Sequence, residues 1–158
     1  MKKSYLLFMG LVVLVVAGAV FLQSASFGDP EVKEGLGLQA IVYKTPTCGC
    51  CHVFSQYLES EGVSVEVKDL ANLSPTKKQY GIPQELESCH TTVIGDYVIE
   101  GHIPLEVINK LVTEKPDIKG IALPGMPSGS PGMPGPKIGQ WTIYALNNDG
   151  RVTEYMQY

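Results

Sequence analysis

Apolar and polar positions follow a pattern along the chain that predicts alternating strands and helices. A first strand is predicted at residues 39–44, where QAIVYK forms a short apolar run. A helix then extends towards Gly62, because apolar residues recur at helical spacing: Val53, Phe54, Tyr57 and Leu58. A second, half-buried strand is predicted at residues 63–67, where valine alternates with polar residues.

The pattern continues with a short helix, a hairpin and a longer helix. Ser74 followed by Pro75 is typical of a helix start, and Gly81 is placed to end that helix. Two strands at residues 91–94 and 97–100 are joined by a two-residue turn. Pro104 then opens a helix with one apolar face: Leu105, Ile108, Leu111 and Val112.

The predicted order β-α-β-α-β-β-α is the core order of a thioredoxin-like domain over about residues 38–115. Residues 124–135 contain Pro-Gly-Met-Pro twice and predict an irregular loop, and residues 141–156 predict a terminal β-hairpin. We therefore expect an α/β fold: a thioredoxin-like domain at 38–158 with a C-terminal Pro/Gly/Met loop and β-hairpin. The pattern leaves open whether the hairpin extends the sheet or stands apart.

The N-terminus has a different character from the rest of the chain. Lys2-Lys3 precede an uncharged apolar run at residues 5–22, which as a helix would be about 27 Å long, close to the bilayer hydrocarbon thickness. Residues 1–26 are therefore predicted to be either a signal peptide, cleaved near Ser24-Ala25-Ser26, or an N-terminal membrane anchor. Residues 27–37 predict a tether. Both alternatives predict export, to the periplasm or the extracytoplasmic face of the inner membrane.

Composition sets limits on the function. The 158 residues are 44% hydrophobic and 18% charged, which fits a globular protein. A net charge of −4 without a basic stripe gives no support for nucleic-acid binding. We therefore expect no nucleic-acid partner, and a membrane contact only through an uncleaved N-terminal segment.

Cysteine and histidine occur together at two places in the chain. Cys48-Gly49-Cys50-Cys51 precedes His52, and Cys89 precedes His90. The first cluster lies between the first strand and the following helix, where helix-terminal amide groups stabilise thiolate. Thiolate is both a nucleophile and a metal ligand. The cluster therefore predicts either a thiol–disulfide oxidoreductase, with Cys48 as nucleophile and Cys51 as resolving thiol, or a soft-metal site.

Two observations favour the metal site. A thioredoxin-type oxidoreductase usually has a cis-proline entering the third strand, whereas this chain has Cys89-His90 there. Cys50 also adds a thiol that a simple disulfide cycle does not need. Because adjacent residues of a strand point in different directions, we expect a multinuclear cluster with bridging thiolates. This favours Cu(I), with Zn(II) in a structural site as the alternative. The candidate metal ligands are the four cysteines, helped by His52 or His90.

Three further residues are weaker candidates for metal ligands. His102 stands at a helix entrance and fits either a capping or surface role or a role in the metal site. Met126 and Met133 offer thioether sulfur, which selects Cu(I) over Zn(II), but only if the Pro/Gly loop folds back over the cysteines.

Four blocks of the chain resemble one known family, and they occur in the family's order between Ala40 and Met133. They are YKTPTCGCC at 43–51, SCHT at 88–91, EGHIP at 100–104, and the Pro/Gly/Met segment at 124–133. The family is the exported, thioredoxin-like C-x-C-C family long carried as a domain of unknown function, which includes CopG-type periplasmic copper-resistance proteins. His52 departs from the family pattern, where a small residue often follows the cysteines.

The resemblance implies copper handling, with Cys48, Cys50, Cys51 and Cys89 as copper ligands. It leaves open an oxidoreductase activity that interconverts Cu(I) and Cu(II). The function expected is therefore copper resistance or homeostasis by Cu(I)-thiolate binding. The expected partners are copper ions and a further periplasmic copper carrier or exporter. The alternatives are a thiol–disulfide oxidoreductase and a zinc-stapled interaction domain.

Overall fold

The computed structural model describes residues 37–158. The predicted signal peptide or anchor at 1–26 and nearly all of the tether lie outside the described residues. Within residues 37–158, no helix combines the length and the apolar character needed to cross a membrane.

The described residues form a mixed α/β structure of seven strands, three α-helices and one short 3₁₀ helix at Gln84–Leu86. The order of elements from the first strand to the third α-helix is the predicted one. In chain order the elements are β1 (Gln39–Lys44), α1 (Gly49–Ser60), β2 (Ser64–Asp69), α2 (Ser74–Gln79), β3 (Thr91–Ile94), β4 (Tyr97–Glu100), α3 (Leu105–Glu114), β5 (Gly120–Ala122), β6 (Thr142–Leu146) and β7 (Val152–Gln157).

All seven strands belong to one sheet, in the order β2-β1-β3-β4-β5-β6-β7. β1 pairs with β2 and β4 with β5 in parallel, and the other four pairs are antiparallel. The terminal hairpin β6–β7 therefore extends the sheet, which resolves the alternative that its sequence left open. β5 makes this possible, because it pairs with β4 on one side and with β6 on the other.

The apolar residues of the helices pack on this sheet. Phe54 and Leu58 of α1 and Ile108 and Leu111 of α3 are fully buried, together with strand residues of the same cluster: Val42, Ile99, Ile121 and Ile143. The apolar spacing predicted these buried positions. It was wrong for Val53, which is 48% exposed on α1. The packing fixes the start of α1 against one end of the sheet.

Two further local predictions were wrong. β2 is an edge strand, so Val67 is 39% exposed where the alternation predicted a buried side chain. Ser74 is the first residue of α2 and not its cap. The side chain of Asn72 instead accepts a hydrogen bond from the Ser74 amide at 2.9 Å. Neither difference changes the positions of the cysteines.

Candidate metal centre

The sheet topology brings three separate chain segments to one end. β1 and β3 are antiparallel, with Tyr43 opposite Thr91, and β3 and β4 are antiparallel, with Thr91 opposite Glu100. The end of β1, the start of β3 and the end of β4 therefore coincide. Cys48 follows β1, Cys89 precedes β3, and His102 follows β4, so the three residues meet at this end.

The first cysteine cluster forms the start of α1. Cys48 occupies the N-cap position without a side-chain capping bond, and Cys51 is fully buried in the first turn. The two cysteines are joined by a disulfide, with their Cα atoms 5.4 Å apart. This is the pairing that the C-x-x-C spacing predicted for a redox pair.

Cys50 and Cys89 are free and half-buried. The Cys50 sulfur lies 3.5 Å from the sulfur of Cys48 and 3.8 Å from that of Cys89. All four cysteine sulfurs lie within 4.8 Å of one another. Because a disulfide sulfur is not a thiolate, binding of a metal by all four sulfurs requires the Cys48–Cys51 bond to be reduced first.

His102 lies beside the Cys89 sulfur and is fully buried. Its Nδ1 is 2.7 Å from the carbonyl oxygen of Pro131, and its Nε2 is 2.9 Å from the sulfur of Cys89. A carbonyl only accepts hydrogen bonds, so Nδ1 carries the proton, and in the neutral ring Nε2 presents its lone pair to Cys89. Burial lowers the pKa of His102, which favours this neutral ring.

His90 is also fully buried, and its Nδ1 lies 3.4 Å from the Cys89 sulfur. Its ring packs against Phe54 and His102, with centroids 4.4 Å and 4.6 Å away. Among the described residues its Nε2 has no hydrogen-bond partner. Burial, followed by electrostatic repulsion from His102 and Lys77 when the ring is protonated, holds the pKa of His90 well below the usual value, so the ring is neutral.

Cys89 and His90 precede β3 instead of lying on a strand. Their ligand atoms consequently approach each other, where strand geometry predicted divergent directions. Cys89 belongs to two groups of close donor atoms: one with the three other cysteines, and one with His90 and His102. Cys89 and His90 were expected to face one metal only with distortion, because adjacent residues of a strand point in different directions. That reason was wrong, since neither residue lies on a strand.

Burial makes the Cys89 thiol a weak acid. It raises the pKa of Cys89 to about 12, and the neighbouring Cys50 adds to this increase through its charge and hydrogen bond. Cys89 is therefore protonated at neutral pH until a metal displaces its proton.

The Pro/Gly loop folds back onto the site through its backbone. The Pro131 carbonyl accepts the bond from His102, and Gly132 lies so close to α1 that an added Cβ would be 2.7 Å from the Cys50 carbonyl oxygen. Such folding back was the condition for methionine ligands. Met126 is 40% exposed and Met133 is half-buried, and the contacts shown here run through the loop backbone and not through thioether sulfur.

His52 is a predicted candidate that the structure does not bring to the site. It is exposed on α1 and lies outside both groups of close donor atoms. The four cysteines, His90 and His102 do come together in two overlapping groups of donor atoms.

A buried ion pair beneath the Cys89 segment was not predicted. Lys77 of α2 pairs with Glu100 of β4, and both side chains are almost completely buried. Glu100 also accepts hydrogen bonds from the Thr91 hydroxyl and the Ser88 amide, both at 2.6 Å. The bond to Ser88 fixes the backbone directly before Cys89. The only sequence signal was an acidic residue at the end of the apolar strand YVIE.

The donor set determines which metals fit this site. Thiol sulfur and neutral imidazole are the ligands of Cu(I) and Zn(II), and the described site contributes no carboxylate to either group of donors. His90, a member of the group with Cys89 and His102, has a buried Nε2 without a hydrogen-bond partner among the described residues. The residues present therefore fit a soft metal ion.

The chain is similar to a family of unknown function and to solved copper-resistance proteins. The model of the family described as "Protein of unknown function, DUF411" matches residues 86–133. Two solved structures described as "Copper resistance protein copG", Form 2 and Form 1, are 37% and 36% identical to it. Each match covers 77% of this chain and 98% of the other, with a TM-score of 0.71. None of the curated proteins matches the chain.

The fold and the cysteine cluster define a mixed α/β protein with a site suited to a soft metal. The chain belongs to the CopG-type DUF411 family. The family resemblance predicted from the four sequence blocks is confirmed.

Proposed function

We propose that this protein binds copper and contributes to copper resistance. The observation that carries the proposal is the convergence of four cysteine sulfurs and two buried histidines at one end of the sheet. The solved relatives, described as copper-resistance proteins, support copper as the metal. Zinc remains the alternative ion, because the same donors also suit it.

In the reduced protein, the four thiolates are proposed to hold more than one Cu(I) ion. Sulfur separations of 3.5 Å and 3.8 Å around Cys50 place it between Cys48 and Cys89, where a thiolate can bridge two metal ions. His102 would contribute Nε2 as an additional ligand beside Cys89, held in place by Pro131. Each thiol must lose its proton to bind, so protons compete with copper for the site.

We add two further proposals that agree with this role, one on the fold class and one on the location of the protein. We assign the part of the structure from β1 to α3 to the thioredoxin-like class, because the redox-type cysteine pair lies between the first strand and the first helix. The apolar N-terminal run favours export, with the site in the periplasm or on the outer face of the inner membrane. At that location the protein could receive copper from another extracytoplasmic copper carrier, or pass copper to a carrier or exporter.

The Cys48–Cys51 disulfide favours a second activity at the same site. When the two thiols close to a disulfide they release two protons and two electrons, which reduce either a partner disulfide or two Cu(II) ions to two Cu(I) ions. Reduction of a partner disulfide is the reaction of a thiol–disulfide oxidoreductase. Reduction of Cu(II) to Cu(I) would make the protein a copper-linked oxidoreductase. Both use Cys48 and Cys51, and neither requires Cys89.

Copper binding is tested by anaerobic titration of the reduced full chain with Cu(I) against a competing chelator, with metal analysis of the protein as isolated. We expect more than one copper per chain and loss of all four titratable thiols. Cys50→Ser and Cys89→Ser should each lower the stoichiometry. His52→Ala, at an exposed position outside the donor groups, is the matched control and should not change it.

Other outcomes would redirect the assignment. Zinc in the isolated protein without displacement by Cu(I) would favour a zinc-stapled domain. If reduced protein bound no copper but its thiols cycled against a disulfide substrate, the oxidoreductase function would replace the copper function.

A further inference from the structure

We propose that Glu100, paired with Lys77, is a positioning residue for Cys89 and His90. Its carboxylate holds the chain directly before and directly after these two residues, and this fixes where their side chains lie beside His102. The inference rests on the proposed copper function only where copper binding is measured. Its first test needs no copper.

The two oxygens of the Glu100 carboxylate contact both ends of the Cys89–His90 pair. Oε1 accepts a hydrogen bond from the Ser88 amide, and Oε2 accepts one from the Thr91 hydroxyl, both at 2.6 Å. Ser88 directly precedes Cys89, and Thr91 directly follows His90. One fully buried side chain therefore fixes the chain at two points that enclose both residues.

Two backbone contacts join the same two chain segments. The Gly101 amide donates a hydrogen bond to the His90 carbonyl at 3.1 Å. Gly101 has φ +82°, and an added Cβ there would lie 2.9 Å from the Ser88 Cβ, so the segments approach closely. His102 comes next, and its Nε2 lies 2.9 Å from the Cys89 sulfur. The segment that carries the carboxylate thus also carries the ring beside the thiol, and the carboxylate ties the two segments together.

The ion pair itself supports a positioning role more than a stabilising one. Lys77 and Glu100 are both almost completely buried, and the Lys77 ammonium also donates to the Thr91 hydroxyl at 3.3 Å. An apolar pair of similar volume is often as stable as a buried ion pair, because it avoids the desolvation of two charges. Such a pair would, however, leave the Ser88 amide and the Thr91 hydroxyl without this acceptor. Holding these two groups is what the carboxylate adds.

The test uses two double variants of the full chain that remove both charges. Lys77→Met/Glu100→Gln keeps a side-chain oxygen for the Ser88 amide, and Lys77→Met/Glu100→Met keeps none. With the disulfide closed, Cys50 and Cys89 are free, and mass spectrometry follows their alkylation by iodoacetamide. In the Met/Met variant we expect Cys89 to react about tenfold faster than in the wild type, with a smaller change at Cys50 on α1. The Met/Gln variant should react nearly as slowly as the wild type.

Controls separate positioning from stability. Lys110→Met/Glu114→Met removes a surface ion pair on α3 and should leave the alkylation of Cys89 unchanged. Urea unfolding should give similar midpoints for the Met/Met and Met/Gln variants, so that a difference in alkylation does not come from unfolding. If the Met/Met variant does not fold, Thr91→Val replaces it, with Thr91→Ser, which keeps the hydroxyl, as its control. Thr91→Val should speed the alkylation of Cys89, and Thr91→Ser should not.

Copper binding gives a second readout. By chelator competition, the reduced Met/Met variant should bind Cu(I) about tenfold more weakly than the Met/Gln variant. Equal alkylation of Cys89 in the two variants, or in Thr91→Val and Thr91→Ser, would overturn the inference and leave the proposed function standing. Equal affinity for Cu(I) in the two double variants would overturn it as well. If the wild type binds no Cu(I), the proposed function fails, and alkylation alone decides the inference.

Discussion

Cys89 is the residue that connects the two groups of donor atoms, and its acidity would control how the proposed metal binding depends on pH. Its pKa is raised to about 12, chiefly by burial, so it is protonated throughout the physiological range. The proposed binding of Cu(I) must therefore displace this proton, while the lowered pKa of His102 leaves the imidazole neutral without a proton to release.

The first prediction is that the apparent affinity for Cu(I) rises with pH. Each proton displaced on binding contributes about a tenfold increase per pH unit below the pKa of its thiol. The measurement is chelator competition with the reduced chain between pH 6 and pH 8. Cys89→Ser should lower the slope of log affinity against pH by about one. An unchanged slope in that variant would show that Cys89 is not a metal ligand.

The second prediction concerns Lys77, whose charge lies next to the buried Glu100 carboxylate. Lys77→Met should destabilise the protein by about 3–5 kcal/mol at neutral pH, because it leaves a buried carboxylate without its partner. Urea unfolding measures this free energy. Lys110→Met is the control, since Lys110 pairs with Glu114 on the surface, and it should have little effect.

The pH dependence of that loss has a defined sign. Burial raises the pKa of Glu100 above the usual 4.5, and Lys77 opposes the increase. A raised pKa in the folded state means that folding favours the protonated Glu100 carboxyl. The stability that this protonated carboxyl contributes is present at low pH and is lost as pH rises through the folded-state pKa. The loss caused by Lys77→Met should therefore be smaller at pH 5 than at pH 8. A loss independent of pH would contradict this account.

At the residue scale, the sequence identified candidate donors better than their surroundings. The scarcity of cysteine and its pairing with histidine indicated the four cysteines, His52 and His90, whereas the position of His102 at a helix entrance left its role open. Lys77 and Glu100 lie in separate elements, and nothing in their local pattern indicates that they meet. His52 does not reach the cysteines because successive residues of a helix are rotated by about 100°. Cys51 points into the site, and the His52 side chain is exposed to solvent.

At the scale of elements, the Pro/Gly loop is the part that its sequence predicted least well. Proline and glycine predict irregular structure but not its direction. The loop is held by its own hydrogen bonds, including Ser130 Oγ to the Pro127 carbonyl at 2.7 Å and the Met133 amide to the Ser130 carbonyl at 2.8 Å. These bonds present the Pro131 carbonyl to His102.

The third prediction tests that loop with two glycines. Gly132 has φ +83°, and a Cβ there would lie 2.7 Å from the Cys50 carbonyl oxygen and 2.9 Å from the Phe54 amide nitrogen. Gly132→Ala should therefore move the loop away from α1, break the His102–Pro131 bond and weaken Cu(I) binding by about 10–100-fold. Chelator competition measures the change.

Gly125→Ala is the matched control for this variant. Gly125 has nearly the same φ, +80°, but no atom lies within 4 Å of an added Cβ. It should incur only the backbone strain of about 1–2 kcal/mol and bind Cu(I) normally. Equal weakening in both variants would show that the loop acts through backbone strain and not through its contact with the site.

At the scale of the whole described structure, one sheet links the candidate metal centre to the terminal hairpin. The helical spacing and the alternation of strands predicted the order of elements as far as α3, because those segments are long enough to show a period. β5 has three residues, Gly120–Ala122, and no period can be read from it. An added Cβ at Gly120 would lie 1.9 Å from the Val98 carbonyl oxygen, so the pairing with β4 depends on glycine. Such a contact between distant segments has no local signal in the sequence.

The last prediction follows from that continuity. Ile143 of β6 is fully buried in the same apolar cluster as Phe54 of α1, whereas Val152 of the edge strand β7 is 37% exposed. Ile143→Ala should therefore cost about 2–5 kcal/mol through lost burial and a cavity, and Val152→Ala, the control, much less. In urea unfolding, one transition followed by both backbone and Trp141 signals would fit a cooperative sheet. If the hairpin were an independent unit, Ile143→Ala would shift only the Trp141 signal, and the metal centre would unfold at its original urea concentration.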